Sequence, residues 1–361
     1  MAAALPGQRA RLERHRRSRP QASLFTTTML APGERFEAWR ESMSVFLDAD
    51  LKGMVDPETF SGEIESYLID DIMLTRAITK RQKYDRAGSK IARDGLDHYM
   101  IQVFLGGHTE INLGRREARS QADHPIAFDL GETLDSFNSD FHILCVVIPR
   151  ARLAPLLVRP DSLQGLTPDP DSGGGRLLAD FLRSLYLIAP VLTPLEEKRS
   201  ALALLELAAS AFNGVDAGGE AELRARDYAL LLQTQRFIRD HLSSPDLSPE
   251  VIALGVGLSR TALYQLFEPI GGVAEYVREL RLRKCLGEIV SARHAHRHVS
   301  DIAWSWGFAS PSHFTRAFKQ RFGRTPSEAR ASAGAMAPLN RVELDPRVGD
   351  RRYEEWIAAL A

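Results

Sequence analysis

The stretch Val299–Arg330 constrains this chain more than any other: VSDIAWSWGFASPSHFTRAFKQRFGRTPSEAR. Ser300 is placed to cap a short helix whose Ile302 and Ala303 face inward. Gly307 then breaks it, because a backbone without a Cβ can turn there. Ser310 starts a second helix with Pro311 at its first position, where the missing N–H costs nothing. Phe314, Phe318 and Phe322 recur at i, i+4 and i+8 as one apolar stripe. Ser312, His313, Thr315, Arg316 and Lys319 occupy the rest of the circumference, Gly323 ends the helix, and Thr325-Pro326 starts another. The spacing predicts a helix-turn-helix whose second helix has a polar, basic outer face. Such a helix can enter the major groove and read base edges; an ordinary helical hairpin with a solvated face has the same pattern.

The wording narrows that choice. Trp306-Gly307-Phe308-Ala309-Ser310, then Phe314, Arg316, Phe318-Lys319, Phe322-Gly323, Thr325-Pro326 and Arg330, resembles the signature of the AraC/XylS family of transcription regulators. One departure is Ala329, where that family usually carries an aromatic residue, and weaker packing of the last helix is expected there.

A second unit lies upstream. Ser248-Pro249-Glu250 starts a helix, Ile252 and Ala253 face inward, Gly255-Val256-Gly257 turns, and Ser259 caps a helix over Arg260–Glu268 with Leu263, Leu266 and Phe267 inside. Ala253, Ser259, Leu263 and Phe267 therefore repeat as Ala303, Ser310, Phe314 and Phe318. A helix over Ala274–Val290 joins the two units, and one over Glu222–Leu242 precedes them. Two readers on one rigid helix can meet major-groove segments about 34 Å apart, one helical turn. The resemblance implies a double helix-turn-helix DNA-binding domain over 222–331. Its exposed recognition residues fall on Arg260, Thr261 and Gln265 in the first unit and on Ser312, His313 and Arg316 in the second. Arginine suits guanine and glutamine adenine, with phosphate contact as the alternative at each position; Lys319 and Arg321 are expected at the phosphate backbone. In the first unit Glu268-Pro269 stands where a basic residue is usual, and a carboxylate repels phosphate.

The upstream half is read differently. Residues 1–30 carry six arginines before residue 20 and few apolar residues, and are expected to form a disordered basic arm. A helix is expected over Glu34–Leu51, on Phe36, Trp39, Met43, Phe46 and Leu47. Short strands are expected at Ile64–Ile69, Ile72–Thr79, His98–Leu105, Thr109–Leu113, Pro125–Leu130 and Phe141–Ile148, separated by turn residues. They suggest an antiparallel sandwich or small barrel, ended by a helix at Arg150–Val158. Helices at Arg176–Ala189 and Pro194–Phe212 follow. The second is apolar on more than one side, which leaves burial in its own domain and a seam between two copies both open. Residues 214–221 read as a linker and 332–361 as a tail with a short helix around Trp356 and no assigned role.

By the family resemblance, 31–213 is a cupin-like effector-binding and dimerisation domain. The fold class expected is α+β: an antiparallel β barrel with flanking helices, then an all-α domain of two helix-turn-helix units joined by a linker helix. Polar pocket candidates are Arg76, Arg81, Tyr99 and Gln102, although no effector-binding residue is fixed by the sequence.

Global charge adds little, at −1, but the segment Arg224–Arg330 holds 16 Lys and Arg against 10 Asp and Glu, a modest basic footprint. Cys145 and Cys285 lie far apart in apolar runs, which suits a reducing cytoplasm. No run reaches the roughly 18 apolar residues of a membrane span, and the basic N-terminus lacks a signal-type apolar region. His98, His108, His124 and His142 have no ligand spacing, and His294, His296 and His298 alternate in a polar loop without a cysteine or paired carboxylate. No catalytic residue, metal or cofactor is therefore expected. The function expected is an effector-responsive, sequence-specific transcription regulator, more in keeping with an activator. Its partners are double-stranded DNA, RNA polymerase if it activates, an unidentified small molecule and a second copy of the chain, with no membrane. The alternatives are a DNA-binding protein with a purely structural dimerisation domain, and a cupin-type enzyme fused to a DNA-binding domain.

Overall fold

Two antiparallel sheets face each other across an apolar core in the computed structural model, which describes residues 20–113, 117–120, 122–169, 172–214, 221–268, 271–335 and 347–360. The elements of this half are β1 (Gln21–Thr26), α1 (Pro32–Met43), β2 (Asp48–Asp50), β3 (Gly62–Ile69), β4 (Ile72–Thr79), β5 (Gln82–Arg86) and α2 (Gly88–Asp94). There follow β6 (Tyr99–Gly106), β7 (Thr109–Asn112), β8 (Glu117–Arg119), β9 (Pro125–Asp129), β10 (Leu134–Asn138), β11 (Phe141–Ile148), α3 (Arg150–Leu153), α4 (Gly173–Ile188) and α5 (Pro194–Asn213). One sheet has the order β1-β3-β4-β11-β6-β9, the other β2-β5-β10-β7-β8. The cupin-like antiparallel architecture is present as two sheets that do not close on each other.

The larger sheet is buried on both faces. Along β4, Met73 and Ala77 point into the core between the sheets, while Ile72 and Leu74 pack under α4 and α5 with Leu178, Leu182 and Leu204. This double burial is why β6 and β11 are almost continuously apolar instead of alternating, and why β4 opens on three apolar residues in a row, Ile72, Met73 and Leu74. Helix α5 opens with a capping box, Thr193 with Glu196, and Pro194 at its first position.

Several expectations change. The arm does not extend to residue 30, because Gln21–Thr26 pairs with β3 from Leu68 to Glu63; residues 1–19 lie outside the described residues. Helix α1 stops at Met43, with Ser44 at its C-cap, and Phe46 and Leu47 pack beyond it. The helix expected at Arg150–Val158 is one α-turn and one 3-10 turn, Ala154–Leu156. Strands β1, β2, β5, β8 and β10 were not anticipated. Most of the expected linker, 215–220, lies outside the described residues.

The other half is helical: α6 (Ala221–Asp240), α7 (Pro249–Gly255), α8 (Arg260–Phe267), α9 (Val273–Val290), α10 (Val299–Ser305), α11 (Pro311–Phe322) and α12 (Pro326–Ala335). The tail then returns to the β-half as α13 (Arg352–Ala359).

Candidate nucleic-acid interface and ligand pocket

The two helix-turn-helix units repeat down to their hydrogen bonds. Leu258 N–H donates to Ala253 O at 2.8 Å in the first turn, and Phe308 N–H to Ala303 O at 3.0 Å in the second. Each following helix is capped by a serine: Ser259 Oγ accepts from Ala262 N–H at 3.1 Å and Ser310 Oγ from His313 N–H at 3.3 Å. Ser300 is not a cap; His298 holds that position and Ser300 lies inside α10. Gly307 has φ of +78°, and a Cβ there would meet the Arg281 guanidinium. Gly323 has φ of +73° and ends α11 in the left-handed conformation that glycine adopts without strain.

Helix α9 carries both cores. Tyr276 and Val277 pack with Leu263 and Phe267 of the first unit, and Leu282, Cys285, Leu286 and Ile289 with the phenylalanine stripe of the second. Its 18 residues span about 27 Å at 1.5 Å per residue. Arg281 fixes the spacing by donating to Leu242 O, Ser244 O and Gly307 O, at 3.1, 2.7 and 3.2 Å. The sequence offers no sign of this clamp, since an arginine on a linker helix reads as a solvated charge.

The residues expected to face DNA stand at the surface. Arg260, Thr261 and Gln265 are exposed on α8, and Ser312, His313, Arg316 and Lys319 on α11. Arg260 pairs with Glu250 at 3.0 Å, both side chains in solvent. Arg316 is exposed and makes no ion pair among the described residues. Arg321 is a correction. Instead of reaching for phosphate, it bonds Glu279 at 3.0 Å, Glu132 at 2.6 Å and Gly131 O at 2.9 Å. It lies at the end of α11 that turns towards the β-half, so an inter-domain carboxylate captures it.

Those contacts belong to a buried ionic joint between the halves. Asp129, at the end of β9, is shared by Arg150, which bonds it directly, and Arg283 of α9 at 3.7 Å. Arg283 also meets Glu279 at 2.7 Å and Glu132 at 3.1 Å. Burial pushes the Asp129 carboxyl up, but the Arg150 and Arg283 guanidiniums outweigh it and hold it below the usual range. Glu279 is held low in the same way, against burial, by Arg283 and Arg321. Beside this joint, Ile91 and Ala92 of α2 complete the core of the second unit with Phe314, Phe318 and Ala329. The small Ala329 is fully buried at this junction.

A cavity of about 70 Å³ lies between the sheets. Met73, Thr75 and Ala77 enter it from β4, Met100 and Gln102 from β6, and Trp39 from α1. Of the four polar candidates only Gln102 lines it. Arg76 and Tyr99 have the opposite strand parity: Arg76 bonds Tyr186 and Glu63, and Tyr99 bonds Pro160 O at 2.8 Å. Arg81 lies on the surface beside Asp140. Among the described residues no group of three or more His, Cys, Asp or Glu is placed to hold a metal, and no helix is long and apolar enough to cross a membrane.

Comparison with known proteins supports both halves. The family model described as a helix-turn-helix domain matches residues 237–332, and the one described as an AraC-binding-like domain matches residues 39–213. The transcriptional activator NphR of Rhodococcus is 24% identical over 320 residues, covering 85% of this chain and 92% of that protein. The regulatory protein SoxS of Salmonella typhimurium is 34% identical over 96 residues, 26% of this chain and 86% of its own length. Among solved structures, the AraC-like transcriptional activator CuxR superposes with a TM-score of 0.52 at 23% identity, covering 79% of this chain and 99% of that one.

Proposed function

The chain belongs to the AraC family of helix-turn-helix transcription regulators, and from that premise we propose that it is an effector-responsive activator reading DNA with both units. The repeated, serine-capped units on one clamped helix carry this reading, because they present two polar helix faces from a rigid body. The reader comprises 221–335 and the effector half 21–213. In the first unit Arg260, Thr261 and Gln265 face the groove; in the second Ser312, His313 and Arg316 do, with Lys319 on the phosphates. The name of the relative NphR favours activation, and hence contact with RNA polymerase. The cavity between the sheets favours an effector over a purely structural domain. The protein acts in the cytoplasm and is not an enzyme.

The test is substitution on a duplex recovered by selection from random sequence. Arg316→Ala should weaken binding by about 1–3 kcal/mol, the value of one bidentate base contact. It should also relax the preference at one base pair while leaving thermal stability unchanged. A uniform loss across all sequences would make Arg316 a phosphate contact, and no loss would remove it from the interface.

A second copy of the chain is the partner proposed for the hairpin α4–α5. Leu187 and Val191 are 76% and 70% exposed there, Ile188 and Leu195 are exposed beside them in the chain, and Leu177 and Leu202 are exposed further along α4 and α5. Apolar residues gathered on one hairpin mark an interaction surface, and a two-fold axis lets one patch bury itself. Sedimentation should find a dimer that Leu187→Glu converts to monomer; a monomeric wild-type protein would refute this assignment.

A further inference from the structure

The pocket between the sheets is not completed by the domain that surrounds it. Two of its lining residues, Tyr353 and Ile357, come from α13, beyond the DNA-binding half in the chain. The tail enters as an added edge: Thr26 N–H donates to Val348 O at 2.9 Å and Asp350 N–H to Leu24 O at 2.7 Å. Trp356 and Ile357 join the core containing Trp39 and Met100. The helix is latched at both ends. Ser42 Oγ bonds Tyr353 Oη and the Glu354 carboxylate, which Arg351 Nε reaches at 2.5 Å. His98 Nε2 lies 3.1 Å from Ile357 O. None of these tail residues falls within either family match.

The lining has a chemical bias. It contains no Asp, Glu, Lys, Arg or His. Its polar groups are hydroxyls, the thiol of Cys145, the carboxamides of Gln102 and Asn138, and the Trp39 indole N–H, which donates to Gln82 at 2.8 Å. Among the described residues Gln102 has only sulfur partners, Met100 Sδ at 3.6 Å and the Cys145 thiol, so its amide can turn to a better one. Burial pushes the Cys145 thiol up to about 12, so it stays neutral. A charged ligand would be buried without a counter-charge, which is strongly disfavoured. Met43, Met73 and Met100 are unbranched and can repack around a guest larger than the present space.

We infer that the ligand pocket is a composite site completed by the C-terminal helix, and that it takes an uncharged, mainly apolar small molecule with one hydrogen-bonding group. This rests on the pocket being the effector site. Helix α13 follows α12 along the same chain, separated from it by residues 336–351, of which 336–346 lie outside the described residues.

The test uses the full chain with methyl-labelled methionine, titrated with benzyl alcohol and with benzoate at neutral pH. Benzyl alcohol should shift the Met43, Met73 and Met100 resonances and leave the exposed Met29 unmoved, and benzoate should bind at least tenfold more weakly. Ile357→Trp, which fills the cavity, should weaken benzyl alcohol at least tenfold. Ile357→Ala, which enlarges it and serves if the tryptophan variant does not fold, should shift preference from benzyl alcohol to 2-phenylethanol. Equal binding to wild type and both variants would overturn the composite site while leaving the pocket in place. Benzoate binding as well as the alcohol would overturn the uncharged class. No shift of the three methionines by either compound would overturn the pocket reading and this inference together.

Discussion

Phe318→Ala is expected to unfold the second helix-turn-helix while sparing the β-half. Phe318 is fully buried, with ring centroids 5.5 Å from Phe314 and 4.7 Å from Phe322. Removing such a ring costs about 3–5 kcal/mol, the lost transfer energy plus the cavity left behind. The unit is small, and the stripe is the largest part of a core otherwise made of one face of α9, Ile302 and Ala303 of α10, Ala329 of α12 and two residues of α2. The β-half has two clusters of its own. Hydrogen exchange is the measurement: amides of α10 and α11 should lose protection while those of β6 and β11 keep it. Specific DNA binding should disappear with the unit. Retained protection of α11 would mean that the stripe is not its core.

The second large effect is expected at the inter-domain joint. Asp129→Asn removes the carboxylate shared by Arg150 and Arg283 and leaves two buried guanidiniums facing each other. Breaking a buried pair by deleting one partner costs about 3–5 kcal/mol. Asp161 near both arginines, and Glu279 and Glu132 near Arg283, place the expected loss at the lower end. Denaturant unfolding measures it, and a loss below about 1 kcal/mol would show that these neighbours suffice. The pH dependence has a definite sign. The folded Asp129 carboxyl titrates below its unfolded value of about 3.9. Its contribution is therefore fully present above that value and is lost as the pH falls through the lower folded value. Asp129→Asn should flatten this acid limb.

The second helix-turn-helix was legible because every local rule pointed the same way: Ser310, Pro311, the phenylalanine stripe and Gly323 each mark one boundary or face. The joint was not legible, because Arg283 and Arg321 sit on helices where surface arginines are ordinary, and their partners in the β-half, Asp129 and Glu132, lie far upstream in the chain. Strand β5 was hidden for a different reason. Its inward residues include Gln82 and Arg86, so it lacks the apolar alternation that announces a strand. Both are satisfied internally, Gln82 by Trp39 Nε1 at 2.8 Å and Arg86 by Asp94 at 2.7 Å. In the pocket, strand parity separated Gln102 from Tyr99, because three residues' spacing puts them on opposite faces of β6; which face meets the pocket was set by packing, since the larger sheet has a core on each side. The tail helix was visible as Trp356, Ile357 and Leu360, but its destination, the pocket of the β-half, was set by long-range pairing with β1.

Reading of DNA by both units is measured most directly by selection of duplexes from a random pool by the whole 361-residue chain at fixed salt. The expected result is a recovered site with two fixed blocks about one helical turn, roughly 34 Å, apart. No enrichment by protein that melts cooperatively would contradict sequence-specific reading of DNA by this chain.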